Sequence, residues 1–263
     1  MKSLSTYVFL FLIVLFLASS CDDGGGKPCG WGSSYVPISM RTKWTINGKR
    51  LFLGQEISFD TCADVEATYV SISITGPENF VHTNTISCSD MEYFISDDKC
   101  KPFPIGPYTV EMTLLDAAHQ PLTQVKTVTH RVTNDGYPPD DKEIDFDLES
   151  FLRSYTGTLW YKFTWNGASC AAAEPPVTTM EVALYNQDGV RETLADYTGT
   201  CYPDHTVQSI PTGDYTLRVA GRDDQGSVNY CGTMEVRIGA GPTNPAWELD
   251  VTKDATECAS FVP

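Results

Sequence analysis

An internal repeat constrains the fold of this 263-residue chain more than any other feature of its sequence. Three short motifs occur twice, in the same order. The matched segments are 43–48 with 162–167, 62–66 with 170–174, and 105–110 with 212–217. The spacing from cysteine to tyrosine is 46 residues between Cys62 and Tyr108 and 45 residues between Cys170 and Tyr215. Such near-equal spacing predicts a tandem duplication, with about twelve extra residues in the first copy between positions 51 and 60.

Each copy alternates apolar and polar residues with the period of two that is typical of β-strands. In the first copy the alternation includes Trp44 and Ile46, and in the second it includes Phe163 and Trp165. Each of these runs ends in Asn-Gly, a strong signal for a two-residue hairpin. Roughly seven such strands in about 100 residues per copy predict an all-β fold of two tandem antiparallel β-sandwich domains.

The segment 104–110, with the pattern Pro-x-Gly-x-Tyr-x-Val, recurs as 211–217 with leucine in the last position. It resembles a strand of the immunoglobulin-like and carboxypeptidase-regulatory-like (transthyretin-like) sandwich modules of bacterial envelope proteins. The resemblance implies that the glycine permits a sharp bend into the strand and that the tyrosine packs its ring at the corner of the sandwich. We place the two domains at 37–150 and 155–258.

The first twenty residues predict an export signal. Lys2 precedes the apolar run 7–18, whose twelve residues are too few to cross a hydrocarbon core of about 30 Å, which needs about 20 residues. The run is therefore predicted to be the apolar region of a secretory signal peptide, residues 1–20. The segment 17–21, Leu-Ala-Ser-Ser-Cys, resembles a bacterial lipoprotein signal, which implies cleavage before Cys21 and acylation of this cysteine. An ordinary secretory signal that leaves Cys21 unlipidated is the alternative.

Cysteine parity favours lipidation. The chain has nine cysteines, and lipidating Cys21 leaves an even eight, whereas an odd thiol on an exported chain would be reactive. Two or three acyl chains suffice for stable anchoring, and the Gly-rich segment 21–36 is predicted to be a flexible tether. We expect a lipid-anchored protein of the bacterial cell envelope, in the outer membrane rather than the inner, with the membrane face left open. The resemblance to such envelope lipoproteins of Gram-negative bacteria implies no particular activity.

The duplication also limits how the other eight cysteines pair. Two cysteines of the first copy correspond to two of the second, so one bond inside each copy treats both copies alike. The last strand of the second copy lies between two further cysteines, which we pair, and the remaining two are left for each other. The predicted disulfides are Cys62 with Cys88, Cys170 with Cys201, Cys231 with Cys258, and Cys29 with Cys100. Because no Cys-x-x-Cys spacing occurs, zinc binding and thiol catalysis are disfavoured.

The search for chemistry favours a non-catalytic protein. A formal net charge of −16 argues against binding to nucleic-acid phosphates. Nucleophile-elbow, P-loop and Rossmann patterns are missing, and the four histidines lack metal spacing and are expected on loops or strand surfaces. The acidic doublets 97–98, 140–141 and 223–224 are expected to be solvated turn residues rather than a calcium site. We expect no cofactor and no metal, and a hydrolase built from loop carboxylates is the least favoured function.

One aromatic side chain is a candidate ligand contact. In the strand 160–165, the face that carries Phe163 matches the predicted core position Trp44, so Trp160 is predicted to point outward, where the first copy has Arg41. An outward tryptophan can stack on a sugar, mark a partner surface or be covered by the neighbouring domain. The sequence therefore predicts a lipid-anchored binding or structural module for an envelope protein, with a carbohydrate-binding adhesin that uses Trp160 as the alternative.

Overall fold

The computed structural model describes residues 39–97, 103–133, 140–253 and 258. These residues form sixteen β-strands and four single-turn 3-10 helices. In this part of the chain, no helix has the length and hydropathy that crossing a membrane requires. The predicted signal peptide and tether, the lipidation of Cys21 and the bond between Cys29 and Cys100 lie outside the described residues.

Two groups of strands follow one another within one compact unit, and we call them module 1 and module 2. Module 1 comprises β1 (Ser39–Ile46), β2 (Lys49–Phe52), β3 (Gln55–Ser58), β4 (Tyr69–Thr75), β5 (Val81–Ser87), β6 (Glu92–Ser96), β7 (Gly106–Leu115), β8 (Lys126–Val132) and β9 (Asp140–Phe146). Module 2 comprises β10 (Thr156–Trp165), β11 (Thr179–Asn186), β12 (Tyr197–Thr200), β13 (Asp204–Pro211), β14 (Gly213–Arg222), β15 (Val228–Ile238) and β16 (Ala246–Lys253). The 3-10 helices are Pro77–Asn79, Cys88–Asp90, Leu148–Ser150 and Thr193–Ala195.

The two modules share one topology. In module 1 the sheets have the strand orders β6-β1-β9 and β5-β4-β7-β8. Module 2 repeats them as β13-β10-β16 and β12-β11-β14-β15. Two residue pairs between β15 and β16 join these two sheets into one sheet of seven strands. The fold is therefore two tandem β-sandwiches, as the repeat predicts.

The sheets are mainly antiparallel, with one parallel strand pair in each module that the sequence did not predict. The first and last strands of each module, β1 with β9 and β10 with β16, run parallel. A parallel pair needs a long crossover between its strands, and the intervening strands of each module supply it. The other strand pairs among the described residues are antiparallel.

Each sandwich encloses its own apolar core, because alternate residues of every central strand face inward. In β1 the buried side chains include Trp44 and Ile46, and in β10 they include Phe163 and Trp165. These are the positions that the alternation predicts to be internal. Stacked and tilted aromatic pairs along β10 fill the core of module 2.

A tyrosine closes the corner of each sandwich, as the resemblance implies. Tyr108 Oη donates a hydrogen bond to the carbonyl oxygen of Pro104 at 2.7 Å, and Tyr215 Oη donates to that of Pro211 at 2.8 Å. Burial raises the pKa of Tyr108 to about 12, so this hydroxyl stays protonated and remains a donor. The same bond at the same offset in both modules fixes the bend before β7 and β14.

The Asn-Gly turns form, but neither connects two paired strands, and across the second turn the pairing stops at one bridge between Trp165 and Ala168. Asn47 and Asn166 both have positive φ and are followed by glycines of positive φ, as a two-residue turn requires. After the first turn the chain enters β2, which pairs with β3 instead of β1. The reason is that β1 already lies between β6 and β9, and β10 between β13 and β16, so neither strand offers a free edge.

Three disulfides are present among the described cysteines. They are Cys62–Cys88, Cys170–Cys201 and Cys231–Cys258. These are three of the four predicted pairings: the first two follow from the repeat, and the third follows from the position of Cys231 and Cys258 on either side of the last strand. Each bond closes a loop of 26 to 31 residues, which stabilises a small domain by about 3 to 4 kcal/mol in the chain-entropy model.

Candidate functional site

The extra residues of module 1 form a hairpin that exposes a contiguous apolar tip. Leu51, Phe52 and Leu53 are 75%, 58% and 90% exposed. The other large exposed apolar side chains of the described chain occur singly in the sequence. Isolated apolar residues on a surface are normal, whereas a contiguous exposed group marks an interaction site. We call the β2–β3 hairpin, 49–58, the apolar hairpin and residues 51–53 its tip.

The turn of the apolar hairpin is strained at the tip. Leu53 has φ of 50° and Gly54 has φ of 80°, and Phe52 pairs with Gln55 across the turn. Asparagine, aspartate or glycine normally occupies the first of two such positions. A leucine in the left-handed region costs about 1 to 2 kcal/mol, and a side chain that is 90% exposed gains little packing to offset that cost. Strain of this kind is typical of functional positions.

The base of the apolar hairpin is held by a buried carboxylate. Asp60 Oδ2 accepts a hydrogen bond from Asn47 Nδ2 at 3.2 Å, and these two residues flank the hairpin. The backbone closes the same base, because Phe59 N donates to Gly48 O at 2.8 Å and Asp60 N donates to Ile46 O at 3.1 Å. The tip therefore projects from a fixed base.

Module 2 packs against that base. Ala240 N donates to Asp60 Oδ2 at 3.0 Å, and Arg237 Nη1 donates to Asn47 O at 3.4 Å. The close approach requires a glycine, since a Cβ on Gly239 would lie 2.1 Å from Asp60 Oδ1. The residues that follow β15 therefore hold the hairpin base of module 1 against module 2.

Three further contacts lie at this junction of the two modules. Thr243 Oγ1 donates to Asp64 Oδ1 at 2.7 Å. The guanidinium groups of Arg50 and Arg237 lie 5.5 Å and 6.0 Å from the centre of the Phe59 ring, within the range of cation–π attraction. The junction therefore combines charge, hydrogen bonds and an aromatic ring around the base of the hairpin.

Burial raises the pKa of Asp60 to about 6. The hydrogen bonds from Ala240 and Asn47 oppose this effect, the nearby Asp64 adds to it, and Arg50 acts against it. Desolvation disfavours the ionised carboxylate, which is why it is the dominant cause. The Asp60 carboxyl group therefore takes up a proton at mildly acidic pH.

The basic residues of the hairpin are engaged by the fold. Lys49 Nζ lies 2.7 Å from Glu143 Oε1 and 3.7 Å from Glu56 Oε2, and the hydrogen bond with Glu143 raises the pKa of Lys49. Arg50 Nη1 lies 3.4 Å from the Thr243 carbonyl oxygen. The surface that the hairpin presents is therefore apolar rather than basic.

Trp160 lies half-buried on the outer face of the sheet β13-β10-β16. Its Nε1 donates to Asp204 Oδ1 at 2.6 Å, and Lys162 Nζ lies 4.8 Å from its ring centre. The predicted outward orientation is correct. Lys162 already covers one face of the ring, which leaves less aromatic surface for a sugar.

A cleft of about 890 Å³ lies along the linker between the modules, and carboxylates contribute to its lining. Three of them are engaged in structural bonds. Asp147 pairs with Lys126 at 2.5 Å, Asp214 pairs with Arg237 at 2.6 Å, and Asp145 accepts from a threonine hydroxyl at 2.8 Å. These bonds stabilise the two modules and their linker, so these three carboxylates are held by structural partners, while Glu149 and Asp188 also line the cleft.

Among the described residues, no group of three or more His, Cys, Asp or Glu side chains is placed to hold a metal. Asp223 accepts hydrogen bonds from the backbone N of Gln225 and of Ser227, as expected of an acidic residue in a turn. The surface position expected for His130 is wrong. This histidine is fully buried in β8, where its Nε2 lies 2.8 Å from Thr42 Oγ1, and the buried hydroxyl provides the polar partner.

No protein-family model and no curated protein matches the chain. A leucine-rich repeat protein from Bacteroides thetaiotaomicron is 11% identical over 84% of this chain, with a TM-score of 0.24, and the chain spans only 27% of its length. A candidate adhesin from Bacteroides ovatus is 10% identical, with 81% and 89% of the two chains covered and a TM-score of 0.31.

A minor pilin from Streptococcus agalactiae is 11% identical to this chain, with 85% and 99% of the two chains covered and a TM-score of 0.26. At these TM-scores the similarities carry no argument about function.

Proposed function

We propose that this chain is a lipid-anchored, non-catalytic binding protein of the bacterial cell envelope and that it engages a partner through the apolar hairpin. The observation that carries the proposal is the exposed tip, Leu51, Phe52 and Leu53, on a base fixed by both modules. In the part of the chain that the structure describes, module 2 repeats all the remaining strands of module 1 but has no counterpart of this hairpin. The insertion is therefore not needed to build the sandwich.

The energetics support a binding role. Burial of a leucine or phenylalanine side chain contributes about 1.5 to 3 kcal/mol, and the tip carries three such side chains. Because the hairpin base is already ordered by hydrogen bonds, less conformational entropy is lost on binding. A preorganised apolar tip can thus act as a small group of hot-spot residues.

The number of cysteines supports the lipid anchor in this proposal. The three described disulfides use six of the nine. A bond between Cys29 and Cys100 would leave Cys21 as the lipidated residue, next to the segment that resembles a lipoprotein signal. We place the protein in the outer membrane.

Two measurements on the full-length chain in cells test this function. We expect palmitate labelling and membrane fractionation to be lost in Cys21→Ala. For the hairpin, formaldehyde crosslinking is compared between the double variant Leu51→Ser with Phe52→Ser and the control Val190→Ser with Leu194→Ser. Both control side chains are 60% exposed, on module 2. We expect crosslinked complexes to disappear in the hairpin variant alone, and complexes that persist there would contradict the proposed role.

A further inference from the structure

We propose that the tip of the apolar hairpin enters an apolar groove with a basic rim on a different protein. This inference rests on the proposed binding role and adds the chemistry of the partner. Three occupants are conceivable for an exposed apolar tip: a second copy of this chain, a lipid surface, or a groove on another protein. The area of the tip and the charge of the chain favour the third.

The area of the tip is too small for a flat interface. A stable protein interface buries about 800 Å² on each partner. From their exposed fractions, Leu51, Phe52 and Leu53 together offer roughly 400 Å², taking about 150 to 200 Å² for each side chain. A projecting hairpin buries more of its surface when it is enclosed on several sides. The geometry therefore fits insertion into a groove.

The charge of the chain disfavours a second copy. With a formal net charge of −16, two copies repel each other at short range. The two free edges of the hairpin are also short, since β2 and β3 have four residues each. Little backbone pairing is available to overcome the repulsion.

Charge also disfavours an anionic lipid surface. Membrane-binding segments attract such lipids through exposed lysine and arginine, but Lys49 is paired with Glu143 and Glu56. Glu56 faces Leu51 across the hairpin, and its side chain is 68% exposed. Lys49 neutralises only one of its two carboxylate partners, so the group keeps a net negative charge, which is complementary to lysine or arginine at the rim of a groove.

The test uses a photo-reactive side chain at the tip. Full-length, anchored protein carrying Phe52→p-benzoylphenylalanine is irradiated in cells, and the crosslinked peptides are identified by mass spectrometry. The same group at Val190, which has a similar exposure, is the control. We expect the yield at position 52 to exceed that at 190 by about tenfold. The crosslinked peptide should belong to another protein and carry apolar residues near lysine or arginine.

A second arm tests the basic rim. Isolated envelopes are irradiated at about 0.05 M and about 0.5 M NaCl, because exposed charges are screened at the higher concentration. We expect salt to lower the yield severalfold in the protein with Glu56 and to have little effect when Glu56→Gln is added.

Each other outcome overturns the inference. A crosslink to lipid or to this chain's own peptides would identify the wrong occupant while leaving a binding role for the hairpin. A salt-independent crosslink to another protein would remove the basic rim. No crosslink above the Val190 control would overturn both the inference and the binding role. Palmitate labelling that persists in Cys21→Ala would instead contradict the anchor alone.

Discussion

The Asp60 carboxylate of module 1 accepts a hydrogen bond from the backbone N of Ala240 in module 2, at 3.0 Å. The same oxygen accepts from Asn47, so one buried carboxylate joins the base of the apolar hairpin to the neighbouring module. This relationship explains how an inserted hairpin with an exposed tip is held in a fixed position. It also makes the junction sensitive to pH and to side-chain volume.

Asp60 gives a pH dependence whose sign follows from its raised pKa. Between pH of about 4, the usual value, and about 6, the folded state holds the proton more tightly than the unfolded state. The contribution of Asp60 to the unfolding free energy therefore falls as pH rises through this window and is constant above it. The difference is about 3 kcal/mol at most. Arg50, Arg237 and Asp64 are the charged groups that act on this carboxylate.

Urea unfolding of the wild type and of Asp60→Asn at pH 4, 5, 6 and 7 measures this contribution. The amide mimics the neutral acid, so we expect the wild type to lose 1 to 3 kcal/mol relative to the variant between pH of about 4 and about 6. Parallel stability curves would show that the carboxylate is not desolvated at the junction.

Gly239→Ala tests the close approach of the modules. The new Cβ would lie 2.1 Å from Asp60 Oδ1 and 2.7 Å from Phe59 Cε1, so both side chains must shift. We expect a loss of about 1 to 3 kcal/mol in urea unfolding. Gly232→Ala, in the preceding strand β15, is the control, because its Cβ would meet ordinary contacts from 3.4 Å outward. Equal effects at both positions would contradict the described junction.

The repeated tyrosine corner predicts unequal costs for the same change. Tyr108→Phe removes the bond to Pro104, which is half-buried, whereas Tyr215→Phe removes the bond to Pro211, which is exposed. A carbonyl that water can reach is resolvated, so Tyr215→Phe should cost about 0.5 to 1 kcal/mol and Tyr108→Phe about 1 to 3 kcal/mol. Thermal or urea unfolding of the two variants distinguishes them. A larger loss in Tyr215→Phe would reverse the argument.

Trp160→Ala tests the carbohydrate alternative. Because Nε1 is bonded to Asp204 and Lys162 covers one ring face, we expect stability to fall by about 1 kcal/mol through these lost contacts. We expect glycan-array and peptidoglycan binding to show no dependence on Trp160. Binding by the wild type that vanishes in the variant would favour the adhesin over the hairpin account.

Most of the scaffold was predictable from the repeat. Two copies with the same motifs at the same spacing imply one topology used twice, and the period of two identifies inward residues such as Trp44 and Phe163. The repeat also predicted two of the three disulfides that the structure contains, Cys62–Cys88 and Cys170–Cys201. Parallel pairing of the first and last strands was not predictable, because it depends on which strands meet across the sheet and leaves no local pattern.

The candidate site was only partly predictable. The insertion of about twelve residues was visible in the sequence. Its function depends on which side chains are exposed, and the consecutive apolar residues Leu51 and Phe52 do not follow the period of two that separates inward from outward positions. A usable signal was present: consecutive apolar residues before Gly54 in a segment that the second copy lacks. The burial of His130 was missed for a different reason: a polar residue can be buried when a strand that is distant in sequence supplies a hydrogen-bond partner.

The central claim is that the tip serves a partner at some cost to the fold, and Leu53→Asn tests it most directly. Asparagine tolerates the left-handed φ of 50° better than leucine does. We therefore expect the unfolding free energy to rise by about 0.5 to 1 kcal/mol. In the same variant, the yield of the photo-crosslink at position 52 should fall about tenfold, because the most exposed apolar side chain is gone. A more stable protein that still crosslinks at the wild-type yield would contradict the account.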